Sequence, residues 1–300
     1  MHPIAERLGA FSAPGQCLFN EPMRSHTTFR VGGPADFMFF PETSEQVVMA
    51  IEAAKAENVP AMVIGNGSNL IVKDGGVRGL VIVLGERFSA LSLEGNIISA
   101  QAGVSLAKLA AFAHANSLTG LEFASGIPGT LGGGAAMNAG AYGGQLSDVL
   151  IDALVYLNGE VVTLTREEMQ MGYRTTRPLK EGGVVLSARF ELVPGDKDEI
   201  GERMKDLNAR RREKQPLNFP SAGSTFKRPE GYFAGALIEQ AGLKGLSVGG
   251  AQVSEKHAGF VINTGDATAA DILSLIKKVQ DAVYDRFGVQ LETEVRIVGE

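Results

Sequence analysis

Three polar side chains lie next to glycine or tightly turning sequence: Arg174 in GYRTTRP, Ser224 in SAGSTFKRP and Glu294 in LETEVR. A guanidinium can hold a carboxylate through two parallel hydrogen bonds. A serine hydroxyl can deliver a proton to a strongly basic carbon, and a buried, protonated glutamic acid can donate a hydrogen bond. Spacing alone leaves structural alternatives open: a solvated charge at a helix end, a helix cap and a surface ion pair.

The segment Leu121–Gly144, LEFASGIPGTLGGGAAMNAGAYGG, has eight glycines and no charged residue from Gly126 onwards. Each glycine inside regular structure costs roughly 0.5–1 kcal/mol relative to alanine, so this density indicates positive φ angles or close backbone approach. A flexible linker is the alternative, but linkers are usually polar and this one would expose Ile127, Leu131 and Met137. We therefore predict a buried loop pressed against a ligand.

A second glycine turn lies between two short apolar runs in AMVIGNGSNLIV, residues 61–72. Its short side chains leave backbone N–H groups accessible, which suits a pyrophosphate. The dinucleotide fingerprint GxGxxG would need a third glycine where Leu70 stands and a helix afterwards, whereas LIV continues as a strand. No GK[ST] follows the glycines, so a P-loop is excluded as well.

Composition excludes several classes of protein. The 300 residues are 44% hydrophobic and 21% charged. They include neither an apolar run long enough to span a bilayer nor a signal-peptide pattern, so we expect a cytoplasmic protein without a membrane partner. The net charge of -6 argues against nucleic-acid binding. The single cysteine, Cys17, cannot form an internal disulfide, and no Cys and His cluster has metal-ligand spacing, so we predict no metal site.

Hydrophobic periodicity predicts alternating helices and strands. Asn158-Gly159 predicts a tight hairpin, and the alternation in Val289–Val298 predicts one strand with Glu292 and Glu294 on the same face. The arginines and lysine that end the helix predicted over residues 196–214 complement its macrodipole or bind phosphate, and the sequence leaves both open. Helices are predicted over residues 43–58, with Thr43 and Gln46 as a capping box, over 105–116 and 196–214, and from Thr268 to Gly288.

Six motifs occur in a fixed order from about Phe29 to Arg296: TTFRVGGPA, IGNGSNLI, SGIPGTLGGGAAMNAGAYGG, YRTT, SAGSTFKRP and LETEVR. In this order the chain resembles the UDP-N-acetylenolpyruvylglucosamine reductases, also called UDP-N-acetylmuramate dehydrogenases. The resemblance implies an FAD flavoenzyme of bacterial cell-wall synthesis. Its implied reaction uses NADPH to reduce UDP-N-acetylglucosamine enolpyruvate, an enol ether on a UDP-sugar, to UDP-N-acetylmuramate.

The resemblance also implies an α+β fold. Its FAD-binding region has two lobes of the vanillyl-alcohol-oxidase (PCMH) type, followed by a C-terminal α/β substrate-binding domain. We assign residues 1–78 and 79–195 to the two lobes and residues 196–300, with the catalytic C-terminal strand, to the substrate domain. We expect a monomer whose small-molecule partners are the UDP-sugar and NADPH.

The catalytic residues implied by the resemblance are Arg174, Ser224 and Glu294. Arg174 would hold the substrate carboxylate, Glu294 would assist as a protonated acid, and Ser224 would protonate the carbon next to the hydride acceptor. Glu292 shares the predicted face of Glu294, and we prefer Glu294 because the family's carboxylate is the second Glu of LExE.

The resemblance assigns two further groups of residues to binding. Nothing between Arg174 and Ser224 resembles the tyrosine-bearing loop of one subgroup, so we expect the shorter subgroup. Arg228 departs from members with Asn at this position. The cofactor-binding residues are Gly65, Asn66, Gly67, Ser68, Asn69, Leu70, Ser125, Gly126, Ile127, Gly129, Gly132, Gly133, Asn138, Gly140 and Tyr142. The substrate contacts are Tyr173, Lys214, Lys227, Arg228, His257 and Asn263.

Two other functions are compatible with the sequence. The chain could be an oxidase of alcohols or sugars on the same flavin fold, or a UDP-sugar- or flavin-binding regulator that has lost catalysis. The intact Arg174, Ser224 and Glu294 weigh against the regulator. No nicotinamide-binding motif is visible in the sequence.

Overall fold

The computed structural model describes residues 3–300, and these residues divide into two compact units. Unit 1 comprises residues up to Leu18 together with Met38–Asn66 and Val81–Arg211, and unit 2 comprises Phe19–Phe37, Gly67–Leu80 and Arg212–Glu300. The units are interleaved in sequence. The assignment of residues 1–78, 79–195 and 196–300 to two cofactor lobes and a substrate domain stays a prediction.

The described chain contains both helices and strands. The helices are α1 (Pro3–Gly9), α2 (Ser44–Ala56), α3 (Leu106–Ala115), α4 (Leu131–Ala136), α5 (Arg177–Glu181), α6 (Lys197–Lys214), α7 (Ala234–Gln240) and α8 (Ala269–Phe287). The strands are β1 (Cys17–Pro22), β2 (Pro34–Phe39), β3 (Ala61–Ile64), β4 (Leu70–Val72), β5 (Val77–Val83), β6 (Leu91–Glu94), β7 (Ile97–Gln101), β8 (Leu118–Thr119), β9 (Gly140–Ala141), β10 (Gly144–Gln145), β11 (Leu150–Leu157), β12 (Glu160–Thr165), β13 (Val184–Glu191), β14 (Val193–Pro194), β15 (Ser247–Val248), β16 (Ala251–Val253), β17 (Val261–Asn263) and β18 (Arg296–Val298).

Unit 1 is built on a five-stranded antiparallel sheet with the order β12-β11-β13-β7-β6. Asn158 and Gly159 form the two-residue turn between β11 and β12 at φ angles of 53° and 90°, which confirms the predicted hairpin. In α3 the Ser105 side chain caps the first turn, and one face of the helix, formed by Leu106, Leu109, Ala110 and Ala113, is fully buried. The core of the unit is formed by apolar side chains of the sheet, α3 and α4.

Unit 2 packs α7 and α8 with the antiparallel sheet β15-β16-β17 around a second apolar core. α8 begins after Thr268 and ends at Gly288, which has a φ of 68°, as predicted. Thr268 and Asp271 form a capping box at its start. Asp74, which follows β4, accepts 2.9 Å hydrogen bonds from the N–H groups of Ala269 and Ala270. A carboxylate at a helix N-terminus is stabilised by the free N–H groups and the helix dipole. A four-stranded sheet with the order β1-β2-β5-β3 completes the main sheets of the described chain.

Two sequence-based predictions of local structure were wrong. Residues 289–298 do not form one strand: only Arg296–Val298 is a strand, and Thr293 forms an isolated bridge with Phe226. The chain changes its pairing partner between these points, so the regular alternation ends. The segment Leu121–Gly144 is also not one loop, because it contains a one-turn helix (Glu122–Gly126), α4 and the β9-β10 hairpin.

The capping box predicted for α2 is half correct. Thr43 accepts a hydrogen bond from the Gln46 N–H, but the Gln46 side chain accepts from the N–H of Glu42. Among residues 3–300, no helix is both long and apolar enough to cross a bilayer.

A buried tyrosine gives unit 1 a predicted dependence on alkaline pH. The Tyr156 hydroxyl donates to the Glu52 carboxylate, and burial together with this carboxylate raises the pKa of Tyr156 to about 12. The unfolded chain releases the tyrosine proton near pH 10, so stability present below that pH is lost as pH rises through about 12. Tyr156→Phe should remove this part of the loss and cost roughly 1 kcal/mol at pH 7.

Urea unfolding between pH 7 and 11 would measure this difference in the free energy of unfolding. Tyr284→Phe is the matched control, because Tyr284 is more than half exposed on α8. Equal pH slopes for Tyr156→Phe and the parent protein above pH 9 would contradict the prediction.

Candidate active site

Arg174 lies at the tip of a tight turn in unit 1. Gly172 and Thr175 exchange two backbone hydrogen bonds, 2.9 and 3.4 Å long, around Tyr173 and Arg174. Arg174 has a φ of 56°, a left-handed conformation that is uncommon for arginine. Its guanidinium lies 5.3 Å from the centre of the Tyr173 ring, and the Tyr173 side chain is exposed. The turn therefore carries two predicted site residues at its tip.

Ser224 and Glu294 are brought close together in unit 2. The segments containing them pair in antiparallel register at the bridge between Phe226 and Thr293. The N–H of Glu294 donates to the carbonyl of Thr225 (2.9 Å), and the N–H of Lys227 donates to the carbonyl of Glu292 (2.9 Å). Ser224 directly precedes this paired segment and is exposed. Two of the three predicted catalytic residues thus lie on neighbouring chain segments.

The two glutamates of LETE occupy different environments. Glu292 accepts a hydrogen bond from the Lys227 ammonium (2.9 Å), and its side chain is 70% exposed. Glu294 is half-buried and lies at the bend that precedes β18. Of the two carboxyl groups, that of Glu294 is therefore the less accessible to solvent, and that of Glu292 is already paired with a lysine. The ion pair also engages Lys227, a predicted substrate contact.

Asn69 holds the segment that contains Glu294. Its side-chain Nδ2 donates to the carbonyl of Glu294 (3.1 Å), and its own carbonyl accepts from the N–H of Arg296 (2.9 Å). Leu70 then begins β4, which pairs in parallel with β18 from Arg296 onwards. Asn69 and Leu70, both predicted to bind the cofactor, therefore hold the Glu294 segment and β18 in place in unit 2. Gly67 has a φ of 58° and packs against the backbone of His26, where a Cβ would lie 2.2 Å from the carbonyl oxygen.

In unit 1 the two glycine-rich segments meet at Gly65. A Cβ at Gly65 would lie 1.9 Å from Thr130 Oγ1, so only glycine fits there. Gly132 is equally constrained, because a Cβ would lie 2.9 Å from the Cβ of Ala102. At Gly133 a Cβ would meet no described atom within 4 Å apart from its chain neighbours and the backbone of its own helix, and this glycine is exposed. Internal packing therefore explains Gly65 and Gly132 but leaves Gly133 available for close approach by a ligand.

The glycine-rich segment ends in a hairpin with Tyr142 at its tip. β9 and β10 are joined by Tyr142 and Gly143, which have φ angles of 54° and 87°. Asn138, just before β9, is buried, and its amide bonds the Gln145 side chain, the Gly172 carbonyl and the Ser147 N–H. Its predicted contact with the cofactor therefore competes with three bonds inside the protein. Asn66 and Gly133 are exposed, and Ser68, Ser125, Gly126, Ile127, Gly129 and Gly140 are partly buried.

Arg211 is a partly buried cation whose Nε atom is fully buried. It lies on α6 beside Gly126, where a Cβ would be 3.1 Å from Arg211 Cδ and 2.5 Å from Asn208 Oδ1. Burial lowers the pKa of Arg211, an effect opposed by nearby Tyr142, yet an arginine stays protonated at neutral pH. The buried Nε–H has no hydrogen-bond acceptor among residues 3–300. A buried N–H group without an acceptor is costly, so this position fits an electron-rich ligand atom.

Helical spacing was the available signal for Arg211. Ile200, Met204, Leu207 and Arg211 recur at intervals of four and three residues, and this is the inward face of α6. Arg210 and Arg212 are exposed, and Arg210 pairs with Asp206 one turn earlier. Arg211 therefore lies on the inward face of α6, whereas Arg210 and Arg212 lie on its exposed face. A description of all three as one basic run does not show this difference.

The predicted substrate contacts in unit 2 differ in accessibility. Lys214 and Arg228 are exposed, and the Arg228 guanidinium lies 4.0 Å from the centre of the Phe233 ring. Burial lowers the pKa of His257, whose Nδ1 accepts from the N–H of Gly259 (3.1 Å). Asn263 is buried; its amide bonds the Phe29 carbonyl and the N–H groups of Gly265 and Ala267. The geometry therefore gives Asn263 the task of holding its loop, and the predicted contact with substrate gains no support.

Comparison with known proteins agrees with these features. The FAD binding domain family matches residues 35–165, and the family described as UDP-N-acetylenolpyruvoylglucosamine reductase, C-terminal domain, matches residues 215–298. The chain is 57% identical over 284 residues to the UDP-N-acetylenolpyruvoylglucosamine reductase of Alkaliphilus oremlandii, covering 94% of this chain and 93% of the relative. It is 52% identical to that of Clostridioides difficile, covering 94% and 93%.

Solved structures give the same result. The crystal structure of UDP-N-acetylenolpyruvylglucosamine reductase from Thermus caldophilus matches with a TM-score of 0.80 at 36% identity, covering 94% of this chain and 97% of that chain. An alkyldihydroxyacetonephosphate synthase matches with a TM-score of 0.51 at 18% identity, covering 64% of this chain and 41% of that chain. The second match shows a similar fold only.

The fold and the matched families define an FAD-dependent oxidoreductase with mixed α+β structure. The chain belongs to the UDP-N-acetylenolpyruvoylglucosamine reductase family. Unit 1 fits the cofactor in two observed ways: the bare backbone at Gly133 admits close approach, and Arg211 offers a buried donor without an acceptor.

Two adjacent glycines provide a test of this fit. Gly133→Ala should lower FAD affinity by about 10-fold or more, because the added methyl group occupies the approach to the backbone, while stability without FAD rises by roughly 0.5–1 kcal/mol. Gly132→Ala should instead destabilise the protein by about 1–3 kcal/mol, because its Cβ overlaps Ala102. FAD titration by flavin fluorescence and thermal unfolding without FAD would separate the effects. Unchanged FAD affinity in Gly133→Ala would contradict the assignment.

Proposed function

We propose that this chain reduces UDP-N-acetylglucosamine enolpyruvate to UDP-N-acetylmuramate with FAD and NADPH, and that Arg174, Ser224 and Glu294 carry out the chemistry. The observation that carries the residue assignment is the pairing of residues 225–227 with residues 292–294. This pairing brings a hydroxyl and a half-buried carboxyl group onto neighbouring segments from distant parts of the sequence. The family relationship over 94% of the chain supports the reaction itself.

The chemical difficulty of the reaction lies in the substrate. An unactivated enol ether does not accept hydride, but one conjugated to a carboxylate does if the charge moved onto that carboxylate is stabilised. The enzyme therefore has to supply a fixed cation and an acid. Arg174 provides a planar guanidinium that can bind a carboxylate with two hydrogen bonds.

Glu294 would stabilise the same developing charge. As a protonated acid it would donate a hydrogen bond to the enolate oxygen, and one such preorganised donor is worth about 3–4 kcal/mol in the transition state. Asn69 supports this role, because it holds the carbonyl of Glu294 and the next strand in place.

Ser224 would deliver the proton that completes the reduction. A serine is a weak acid, but the carbon beside the hydride acceptor becomes strongly basic after hydride transfer. Ser224 is exposed, and it follows Gly223, whose φ is 77°. The paired segment that starts at Thr225 limits its movement, which supports delivery to a fixed point.

The cofactor would be held in unit 1 by the bare backbone at Gly133 and by Arg211. When bound, FAD takes hydride from NADPH and supplies it to the terminal enol carbon. Arg211 would donate its Nε–H to an electron-rich group of the cofactor, since no other acceptor is available among the described residues. Leu131, fully buried, and Ile127 and Met137, partly buried, would help to exclude water.

Substrate binding beyond the catalytic residues would use the exposed cations and the exposed tyrosine. Lys214, Lys227 and Arg228 supply positive charge for the diphosphate, and Tyr173 offers an exposed ring and hydroxyl. The Lys227 ion pair with Glu292 is exposed, so exchanging this partner for a phosphate costs little. Burial keeps His257 neutral, so any bond to substrate would come from an uncharged ring.

We infer that the enzyme acts as a monomer in the cytoplasm, in the synthesis of the peptidoglycan precursor. Through this product it would contribute to cell shape and division. Both UDP-sugars carry charged phosphates that do not cross a membrane unaided, which supports a cytoplasmic location.

An anaerobic half-reaction series tests the reaction. The purified protein should be yellow, NADPH should bleach the flavin, and the enolpyruvyl UDP-sugar should restore its absorbance. A colourless protein that FAD cannot reconstitute would contradict the proposal. Fast reoxidation by oxygen with indifference to the UDP-sugar would indicate an oxidase instead.

Ser224→Ala tests the assignment of the proton donor. Turnover should fall by about 10²–10⁴-fold, because general acid catalysis is lost, while NADPH reduces the flavin at an unchanged rate. Stopped-flow absorbance measures both half-reactions, and Ser221→Ala in the same turn is the matched control. Unchanged turnover with intact substrate binding would show that another group delivers the proton.

A further inference from the structure

The turn that carries Arg174 belongs to a closed loop, Met169–Arg177. The N–H of Arg177 donates to the carbonyl of Met169 (2.8 Å), and Met169 is fully buried. Within the loop, the only backbone pairing of the turn in the described residues is the pair of bonds between Gly172 and Thr175. The base of the loop is therefore anchored in the core, whereas its tip has to be fixed by other contacts.

Two buried side chains fix this loop to the glycine-rich segment. Thr176 is fully buried, and its hydroxyl donates to the carbonyl of Ala136, the last residue of α4, at 2.7 Å. Asn138 is 4% exposed, and its Nδ2 donates to the carbonyl of Gly172 at 3.4 Å. These two hydrogen bonds, or ties, therefore hold the turn at its first residue, Gly172, and at the residue that follows it, Thr176.

Thr176 also determines where the loop ends. Its Oγ1 accepts a hydrogen bond from the N–H of Leu179 (3.3 Å), so the same hydroxyl caps α5. A threonine hydroxyl that both donates and accepts is held in one orientation. The residue directly after the turn consequently has a fixed side chain and a fixed backbone.

The turn needs such support because its own geometry is unfavourable. A left-handed φ for a residue other than glycine costs on the order of 1–3 kcal/mol and persists only when the surroundings determine it. Arg174 has this φ, and Tyr173 beside it is 62% exposed, so packing at the tip contributes little. The hydrogen bonds of Thr176 and Asn138 connect the turn to α4 and to the segment that follows it.

We propose that Thr176 and Asn138 are positioning residues that set the place of the Arg174 guanidinium through the Gly172–Thr175 turn. This inference rests on the proposed role of Arg174 in holding the substrate carboxylate. In this proposal the glycine-rich segment has two roles: it contacts the cofactor, and through Ala136 and Asn138 it fixes the position of the Arg174 side chain. A guanidinium displaced by about 1 Å would lose its alignment with the carboxylate, which costs up to about 100-fold in rate.

Four variants test the proposal in the FAD-loaded enzyme. Thr176→Val removes the hydroxyl but keeps the shape, and Thr176→Ser restores it. Asn138→Gly removes the second tie while keeping a residue suited to its φ of 44°. Thr165→Val is the matched control, because the Thr165 hydroxyl bonds only the exposed Glu168 at 3.0 Å. If Thr176→Val does not fold, Asn138→Gly carries the test.

Two measurements report on the turn. Hydrogen exchange of residues 170–179, without substrate or turnover, should become at least about 10-fold faster in Thr176→Val and stay unchanged in Thr165→Val. Reoxidation of the reduced flavin by the enolpyruvyl UDP-sugar should slow by about 10- to 100-fold, and Thr176→Ser should recover most of this rate. Reduction by NADPH should change by no more than about twofold, because NADPH carries no enolpyruvyl carboxylate.

A double-mutant cycle with Arg174→Gln separates positioning from general stability. If Thr176 acts through Arg174, Thr176→Val should slow reoxidation no further in the Arg174→Gln background. Additive losses in the two variants would overturn the proposal, as would normal reoxidation in both Thr176→Val and Asn138→Gly. If Arg174→Gln alone reoxidises normally, the proposed role of Arg174 fails, which is a different result from failure of the two ties.

Discussion

The parallel pairing of β4 with β18 is the constraint on which unit 2 depends. Leu70, Ile71 and Val72 align with Arg296, Ile297 and Val298, and Asn69 bonds the chain on both sides of the bend that precedes β18. Asp74, just after β4, holds the first turn of α8. One short strand therefore determines the position of the Glu294 segment and of the main helix of the unit.

Close packing against glycine plays the corresponding part in unit 1. Gly65 lies against the Thr130 side chain, Gly132 against Ala102, and Gly126 against the Asn208 and Arg211 side chains of α6. The predicted reason for the glycines, contact with a ligand, therefore explains only some of them. Most of these glycines bring protein segments together, and Gly133 is left open. The cofactor site and the packing of the unit are consequently built from the same run of residues.

Local signals predicted the secondary structure well where they were complete. The Asn158-Gly159 hairpin, the inward face of α3 and the capped ends of α8 follow from turn chemistry, periodicity and caps, all of which operate within a few residues. The strand predicted over Val289–Val298 failed for the opposite reason. Apolar and polar residues do alternate in this segment, but Thr293 pairs with Phe226 whereas Arg296–Val298 pairs with β4. Local alternation does not specify which segment a strand pairs with.

The candidate site shows the same division. Family motifs identified Ser224 and Glu294, yet their adjacency depends on a bridge between Phe226 and Thr293 that no spacing rule specifies. Helical spacing places Arg211 on the apolar face of α6. The sequence does not reveal, however, that its buried Nε–H has no acceptor among the described residues. Asn138 and Asn263 resembled ligand contacts in sequence, whereas the structure engages their amides internally.

The pairing of β4 with β18 has a consequence for how the protein is made. Asn69 and Glu294 are separated by 225 residues, so a ribosome finishes most of the chain before the partner of β4 exists. Until then the edge of β4 and the carboxylate of Asp74 lack the contacts that hold them in the finished protein. Domains form as units during synthesis, and contacts this distant in sequence form slowly. The nascent chain would thus carry β4 without its parallel partner through most of translation.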